Sequence, residues 1–149
     1  MTRPEFILSL KRTINDVSGS GFSADQYNDA LNHAITEVSK LKIAKNDPNY
    51  IFDLGIINGQ TVPDNFEKFA GNVPITIKDT GAQRQFFHSQ SGTPSVKYYV
   101  RRPLIADDTT AIPFNSSDLE ALKFSAAIYL KSRVMMNTEA EQASLAALI

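Results

Sequence analysis

The sequence has no cysteine, only two histidines and no surplus of either charge. Without cysteine, disulfides, thiolate zinc sites, iron–sulfur clusters and cysteine nucleophiles are all ruled out. His33 and His88 are too few for a histidine-rich metal centre. Lys and Arg total 15 against 16 Asp and Glu, a formal net charge of −1. That balance argues against a dedicated nucleic-acid or acidic-membrane binder, which would carry a basic excess. No apolar run approaches the ~20 residues a membrane-spanning helix needs. Met-Thr-Arg-Pro-Glu at the start leads into a helix rather than a signal-peptide apolar stretch. The expectation is a soluble, intracellular chain without cofactor or metal. At 149 residues it fits a single domain, 1–149, with one core.

Both ends read as helical. Thr2 and Glu5 form a T-x-x-E capping box, with Pro4 in the first turn where a missing N–H costs nothing. Phe6, Leu10, Ile14 and Val17 make one apolar face before Gly19-Ser20-Gly21 ends the helix. The second helix starts at Ser23, with a capping box to Gln26 and a hydrophobic staple of Phe22 and Tyr27. Tyr27, Leu31, Ala34, Val38 and Leu41 follow at helical spacing, widened by Ala30 and Ile35, until Asn46-Asp47-Pro48. A third helix is expected from Ser117, boxed with Glu120, its apolar face carrying Leu119, Leu122, Ala126, Tyr129 and Leu130. After Met135-Met136-Asn137, Thr138 and Glu141 supply a fourth box for a short terminal helix.

The centre differs. Five of the seven prolines and five of the seven glycines lie between Tyr50 and Asn115, which forbids long helices there. Strand-like runs lie at Tyr50–Leu54, Val73–Lys78, Arg84–His88 and Ser95–Arg101. In the last, Val96, Tyr98 and Val100 point one way and Lys97, Tyr99 and Arg101 the other, as in a half-buried antiparallel strand. The fold class is therefore mainly α: a bundle of about four helices with a small antiparallel β element, a hairpin or small sheet, between helices two and three. Within the domain, 1–45 is a helix pair, 46–115 a β/loop insertion and 116–149 the C-terminal helices.

Catalytic constellations are not legible. His88-Ser89-Gln90-Ser91-Gly92 lacks the G-x-S-x-G elbow and reads as a polar hairpin tip. Asp107-Asp108 lacks the ligand alternation, turn glycine and distal glutamate of a calcium loop, and reads as an acidic turn before Thr109-Thr110. Lys97, Arg101 and Arg102 with Tyr99 could serve single-stranded nucleic acid, or could be a solvated strand edge guarded by cations. The terminal segment with Ala143, Leu145, Leu148 and Ile149 carries no charge after Glu141. A helix of about twelve residues is marginal alone in water, so it must dock on its own core or on a partner.

The order of elements resembles a known family. An N-terminal helix pair is followed by Val62-Pro63-Asp64-Asn65-Phe66 entering a β segment. Later, Tyr98-Tyr99-Val100-Arg101-Arg102-Pro103-Leu104 and Ala111-Ile112-Pro113-Phe114 run into a helix with Ala126-Ala127-Ile128-Tyr129-Leu130. This pattern is similar to bacteriophage head–tail adaptor proteins, also called head-completion, connector, neck or tail-tubular proteins. The resemblance implies a structural virion protein, not an enzyme, made in the host cytoplasm and located at the neck. It implies a ring, usually of twelve copies, that docks beneath the portal protein, extends the DNA channel and carries the tail or nozzle protein. Genomic DNA would pass without specific binding, and no membrane would be involved. In such a ring Ala143, Leu145, Leu148 and Ile149 would meet the portal, and Lys97, Tyr99, Arg101 and Arg102 would face the channel or a neighbouring subunit. The alternatives are a single-stranded nucleic-acid-binding module and a small serine hydrolase using Ser89 or Ser91 with His88.

Overall fold

A computed structural model describes residues 1–16 and 21–149. Its elements are α1 (Arg3–Thr13), α2 (Ala24–Ala44), β1 (Ile51–Gly55), β2 (Phe66–Phe69), β3 (Thr76–Asp79), β4 (Arg84–Phe87), β5 (Ser95–Val100), α3 (Ser116–Arg133) and α4 (Glu139–Leu148). The fold class is the expected one, mainly helical with small antiparallel sheets between α2 and α3. The chain divides into two compact units, one of residues 1–41 with 102–149 and one of residues 42–101. Val17, Gly19 and Ser20, assigned above to the end of the first helix, lie outside the described residues. Among the described residues no helix is long and apolar enough to cross a membrane.

In the helical unit, α1 and α2 start where their caps predict. The Thr2 N–H donates to Glu5 Oε2 at 2.7 Å. Ser23 and Gln26 exchange both bonds of their box, at 2.8 and 3.2 Å. The staple is present too, the Phe22 and Tyr27 rings meeting edge to face at 5.8 Å. Tyr27 then does more than staple: its buried hydroxyl donates to the Asp16 carboxylate, whose other oxygen accepts the Gly21 N–H at 3.0 Å. The Tyr27 hydroxyl and then the Gly21 N–H hold the Asp16 carboxyl below its usual range. Burial, and then the carboxylate beside it, push the Tyr27 phenol up. One carboxylate thus ties the end of α1 to the first turn of α2.

The core of this unit gathers Phe6 and Leu10 of α1, Tyr27, Ala30, Leu31, Ala34, Ile35 and Val38 of α2, and Ala121, Leu122, Ala126, Ala127 and Leu130 of α3. Leu41, expected to end the α2 stripe, is instead 39% exposed. The segment after β5 adds Ile105 and Ile112. It is held by Asn32, whose side chain accepts the Ile105 N–H at 2.9 Å and donates to the Ile105 carbonyl at 3.2 Å. Ser39 Oγ accepts the Arg102 N–H at 3.1 Å. The Ile112 N–H reaches the Met1 carbonyl at 2.9 Å.

Two capping boxes are corrected. α3 is capped by Asn115, whose Oδ1 accepts the Asp118 N–H at 2.9 Å. Ser117 lies inside the helix, and Glu120 pairs with Lys123 at 2.9 Å. Asparagine and serine are comparable caps, and the extended backbone at Asn115 decides between them. At α4 the Thr138 side chain makes no cap bond. Asn137 Oδ1 takes the Glu139 N–H at 2.8 Å, and Glu141 turns to Lys131 of α3.

In the central unit, β5 lies between β1 and β2 in an antiparallel sheet, order β1-β5-β2. β2, not among the four strand-like runs but entered from the Val62–Phe66 passage, pairs through a bulge between Phe66 and Lys68. The strand expected from Val73 begins only at Thr76, because Pro74 has no N–H for the ladder. β3 and β4 form a hairpin whose turn needs positive φ at Gly81. The other edge of β4 bonds to the 59–62 segment, with Val62 N–H to Arg84 O at 3.0 Å and Phe86 N–H to Gln60 O at 2.8 Å. Ile56, Val62, Phe66, Phe86, Val96 and Tyr98 form the core, where the Phe66 ring meets Phe86 at 5.5 Å and Tyr98 at 5.6 Å.

Leu31 and Leu122 are sealed from solvent. Leu31→Ala and Leu122→Ala should each lower unfolding free energy by about 2–5 kcal/mol. Chemical denaturation measures this, and a loss below about 0.5 kcal/mol at both sites would contradict the core.

Candidate functional site

The cationic face expected on β5 is mostly used inside the central unit. Val96 and Tyr98 do point into its core, and Lys97 is exposed. Tyr99, however, is buried, with the Lys68 ammonium 5.1 Å from its ring centroid. Arg101 closes the bulge of β2. Its Nε stands 2.7 Å from Glu67 Oε1, a guanidinium N–H donates to the Asp64 carbonyl, and its backbone exchanges bonds with Asn65 at 2.8 and 3.1 Å. The extra residue of a bulge re-aims a side chain, here Glu67 toward Arg101. Arg102 is half-buried. Strand alternation misplaces this face because both sides of β5 are covered at Tyr98 and Tyr99.

The terminal segment is anchored rather than loose. Leu145, Leu148 and Ile149 are half-buried against the helical core, and Ala143 is exposed. The anchor is Glu141, buried and paired with Lys131 of α3. The Lys131 ammonium holds the Glu141 carboxyl below its usual range.

Of the other two candidate stretches, Asp107–Thr110 is a turn as expected, whereas 88–92 is not a hairpin tip, because β4 before it and β5 after it lie in separate sheets. Asp107 Oδ1 accepts the N–H groups of Thr109 and Thr110, both at 2.8 Å, and both hydroxyls. The Thr110 and Thr109 N–H groups, and then the hydroxyls, bring its carboxyl down to about 2. Asp108 pairs with Arg3 at 2.7 Å. His88 Nε2 stands 3.1 Å from the Ile56 carbonyl, which it can reach only as a donor. Among the described residues no cluster of three or more His, Cys, Asp or Glu could hold a metal.

The surface best built for binding was not foreseen. On the helical unit, His33 of α2 stacks on Tyr129 of α3 with ring centroids 4.6 Å apart, and the Arg133 guanidinium lies 4.5 Å from the same ring. With Leu41, Ile128 and Leu145 these side chains line a groove of about 440 Å³. Its lining is mixed, with the Glu37 carboxylate and the Ser125 and Ser132 hydroxyls beside the apolar walls and the stacked guanidinium. A sequence signal existed for half of it: Tyr129 and Arg133 are four apart on one helix face. His33, 96 positions from Tyr129, carried none.

The three long helices close on similar turns. α1, α2 and α3 all close with a left-handed residue followed by an N–H reaching back over five positions: Asp16 to Lys11 at 2.8 Å, Asp47 to Lys42 at 3.1 Å, Met136 to Lys131 at 3.0 Å. In α1 and α2 the left-handed residue is Asn15 or Asn46, which tolerates it. In α3 it is Met135, at φ +56° and 96% exposed, between half-exposed Val134 and Met136.

A scan against models of known protein families and a search among curated proteins return no match.

Two measurements follow. Glu141→Gln keeps shape but removes the charge facing Lys131, and should cost about 1–3 kcal/mol at neutral pH. Because pairing depresses the folded-state value, this stability is present above the ordinary glutamate value and is lost as pH falls through the lowered one. Melting curves of wild type and variant should therefore converge in acid; a constant gap would refute the pairing. Met135→Gly removes a left-handed non-glycine residue and should raise stability by about 1 kcal/mol. A drop in melting temperature would show that the thioether supports the fold.

Proposed function

We propose that the chain is a structural virion protein, a head–tail adaptor that forms a ring beneath the portal protein and carries the tail or nozzle protein. The observation that carries this reading is the arrangement of elements. Both ends of the chain build one helical unit, and a small antiparallel β unit is inserted between α2 and α3. That is the order in which the sequence resembles the adaptors. The chemistry of the surfaces agrees with it. A ring subunit needs lateral and axial contact faces, and a heterologous contact that closes by rotation produces such rings. Exposed apolar side chains occur on both units, at Leu41 and Met135 on one and at Phe52 and Ile57 on the other.

The ring would hold about twelve copies, as the resemblance implies, with DNA threading it. A formal charge of −1 suits passage without sticking, since a strongly basic lining would hold phosphates. The other two readings have less behind them. A stacking platform for single strands needs exposed aromatics beside free cations, whereas Tyr99 is buried and Arg101 is paired with Glu67. A serine hydrolase needs a base bonded to its nucleophile, whereas the His88 ring meets the Ile56 carbonyl.

Mass measurement of the purified chain with and without purified portal protein tests the proposal. A ring-sized assembly on the portal is expected. A chain whose mass is indifferent to portal would overturn the reading, and salt-dependent binding to single-stranded oligonucleotides would replace it with the second.

A further inference from the structure

We infer that α4 is an exchangeable arm: the turn after α3 opens into one continuous helix, and α4 then docks on the α3 of a second copy of this chain. The exchange rests on α3 and α4 alone and stands whether or not the chain binds portal protein.

The turn between α3 and α4 lacks the stop signals of the other two. α1 ends on left-handed Asn15 with Gly19 and Gly21 soon after it, and α2 on Asn46 with Pro48 two residues on. Those stops are written into the sequence, since asparagine tolerates the conformation and glycine and proline break helices. From Ser116 to Ile149 there is no glycine and no proline. α3 nevertheless stops on Met135 at φ +56°, a conformation that crowds its Cβ against the backbone. The turn also holds Val134, Met135 and Met136 in solvent. Continuing the helix removes the left-handed residue and gives the N–H groups of the turn carbonyls four positions back. It also sets Val134 one turn beyond buried Leu130, on the same face.

The closed form shows what the seat on α3 accepts. Glu141 pairs with Lys131, and Leu145, Leu148 and Ile149 lie half-buried against the helical core. A second copy offers the same Lys131 and the same core, so it receives α4 with no new chemistry. Contacts in the seat are equal in the two forms, and the turn decides between them. Closed, it gains the bond from the Glu139 N–H to Asn137 Oδ1 at 2.8 Å. Open, it gains a relaxed Met135 and an unbroken helix. At 1.5 Å of rise per residue the open helix carries Leu148 about 20 Å past Arg133, too far to fold back on its own α3. Arms passed from each copy to the next join copies in series, the arrangement from which rings close.

Charge reversal separates exchange from folding back. Lys131→Glu sets two carboxylates against each other at the seat, and Glu141→Lys sets two ammonium groups together. In either variant alone the charges repel whichever copy supplies α4, and native mass spectrometry should show monomers. Warmed together at the same total concentration, the two should form mixed assemblies, at least tenfold more than either gives alone. Each α4 then meets an opposite charge only on the other chain. The double variant, Lys131→Glu with Glu141→Lys, should melt and assemble as the wild type does, which shows that the reversed pair folds. In the wild-type background, Asn137→Ala removes a bond that only the closed turn makes and should raise the assembled fraction at least threefold. Met135→Gly relaxes the closed turn and should lower it. A mixture that stays monomeric while the double variant folds would overturn the exchange. So would equal assembly in the mixture and in each variant alone, or turn variants that shift assembly in the opposite directions. Exchange in a chain that ignores portal would remove the adaptor reading and leave this inference standing. Rings on the portal from chains that do not exchange would do the reverse.

Discussion

Six side chains of α2, from Tyr27 to Val38, are sealed from water, and α2 cannot seal them itself. An isolated amphipathic helix leaves its stripe in solvent and is marginal for that reason. Here the cover comes from both flanks in sequence: Phe6 and Leu10 from before it, and Ile105, Ile112 and the buried face of α3 from more than sixty residues after. Alanines at 30, 34, 121, 126 and 127 supply much of this core. Small residues let backbones approach closely, and Phe6, Leu10, Tyr27, Leu31, Ile35, Leu122 and Leu130 fill the space between them. Everything in the helical unit follows from closing that stripe, including the Asn32 clamp, which gives the Ile105 backbone the partners a strand would have supplied.

The central unit solves the same problem with aromatics. Phe66 meets Phe86 edge to face at 5.5 Å and Tyr98 at a tilt at 5.6 Å, and such aromatic pairs add to simple burial. Reaching it requires the β2 bulge, and the bulge requires a partner for Glu67, which Arg101 becomes. Side chains that looked like a surface for ligands are thus consumed in construction. The chain has no excess of cations, 15 against 16 acidic residues, so those used inside the fold are not available outside it.

The helix ends show where construction and recognition part. Asn15 and Asn46 fill left-handed positions at little cost, and Met135 fills the same position at a greater one. Two residues before it in the chain is Arg133, stacked on Tyr129. Local rules are kept along most of this chain, and the place where one is broken comes two residues after Arg133, which lines the groove. Departures of this kind are expected at functional sites.

The sequence alone determined what depends on near neighbours. The boxes at Thr2 and Ser23, the Phe22–Tyr27 staple, the helical period of α2 and the punctuated β centre were legible because caps and periodicity act over a few residues. Where two local solutions were equal, it did not choose: Asn115 rather than Ser117 caps α3, and Glu141 leaves its box for Lys131. Tertiary structure alone decided that Tyr99 is covered on the second face of β5, that Leu41 is not in the core, and that His33 meets Tyr129. Those outcomes rest on residues far apart in sequence being packed together. Burial is a property of the closed fold, and no spacing rule along the chain contains it.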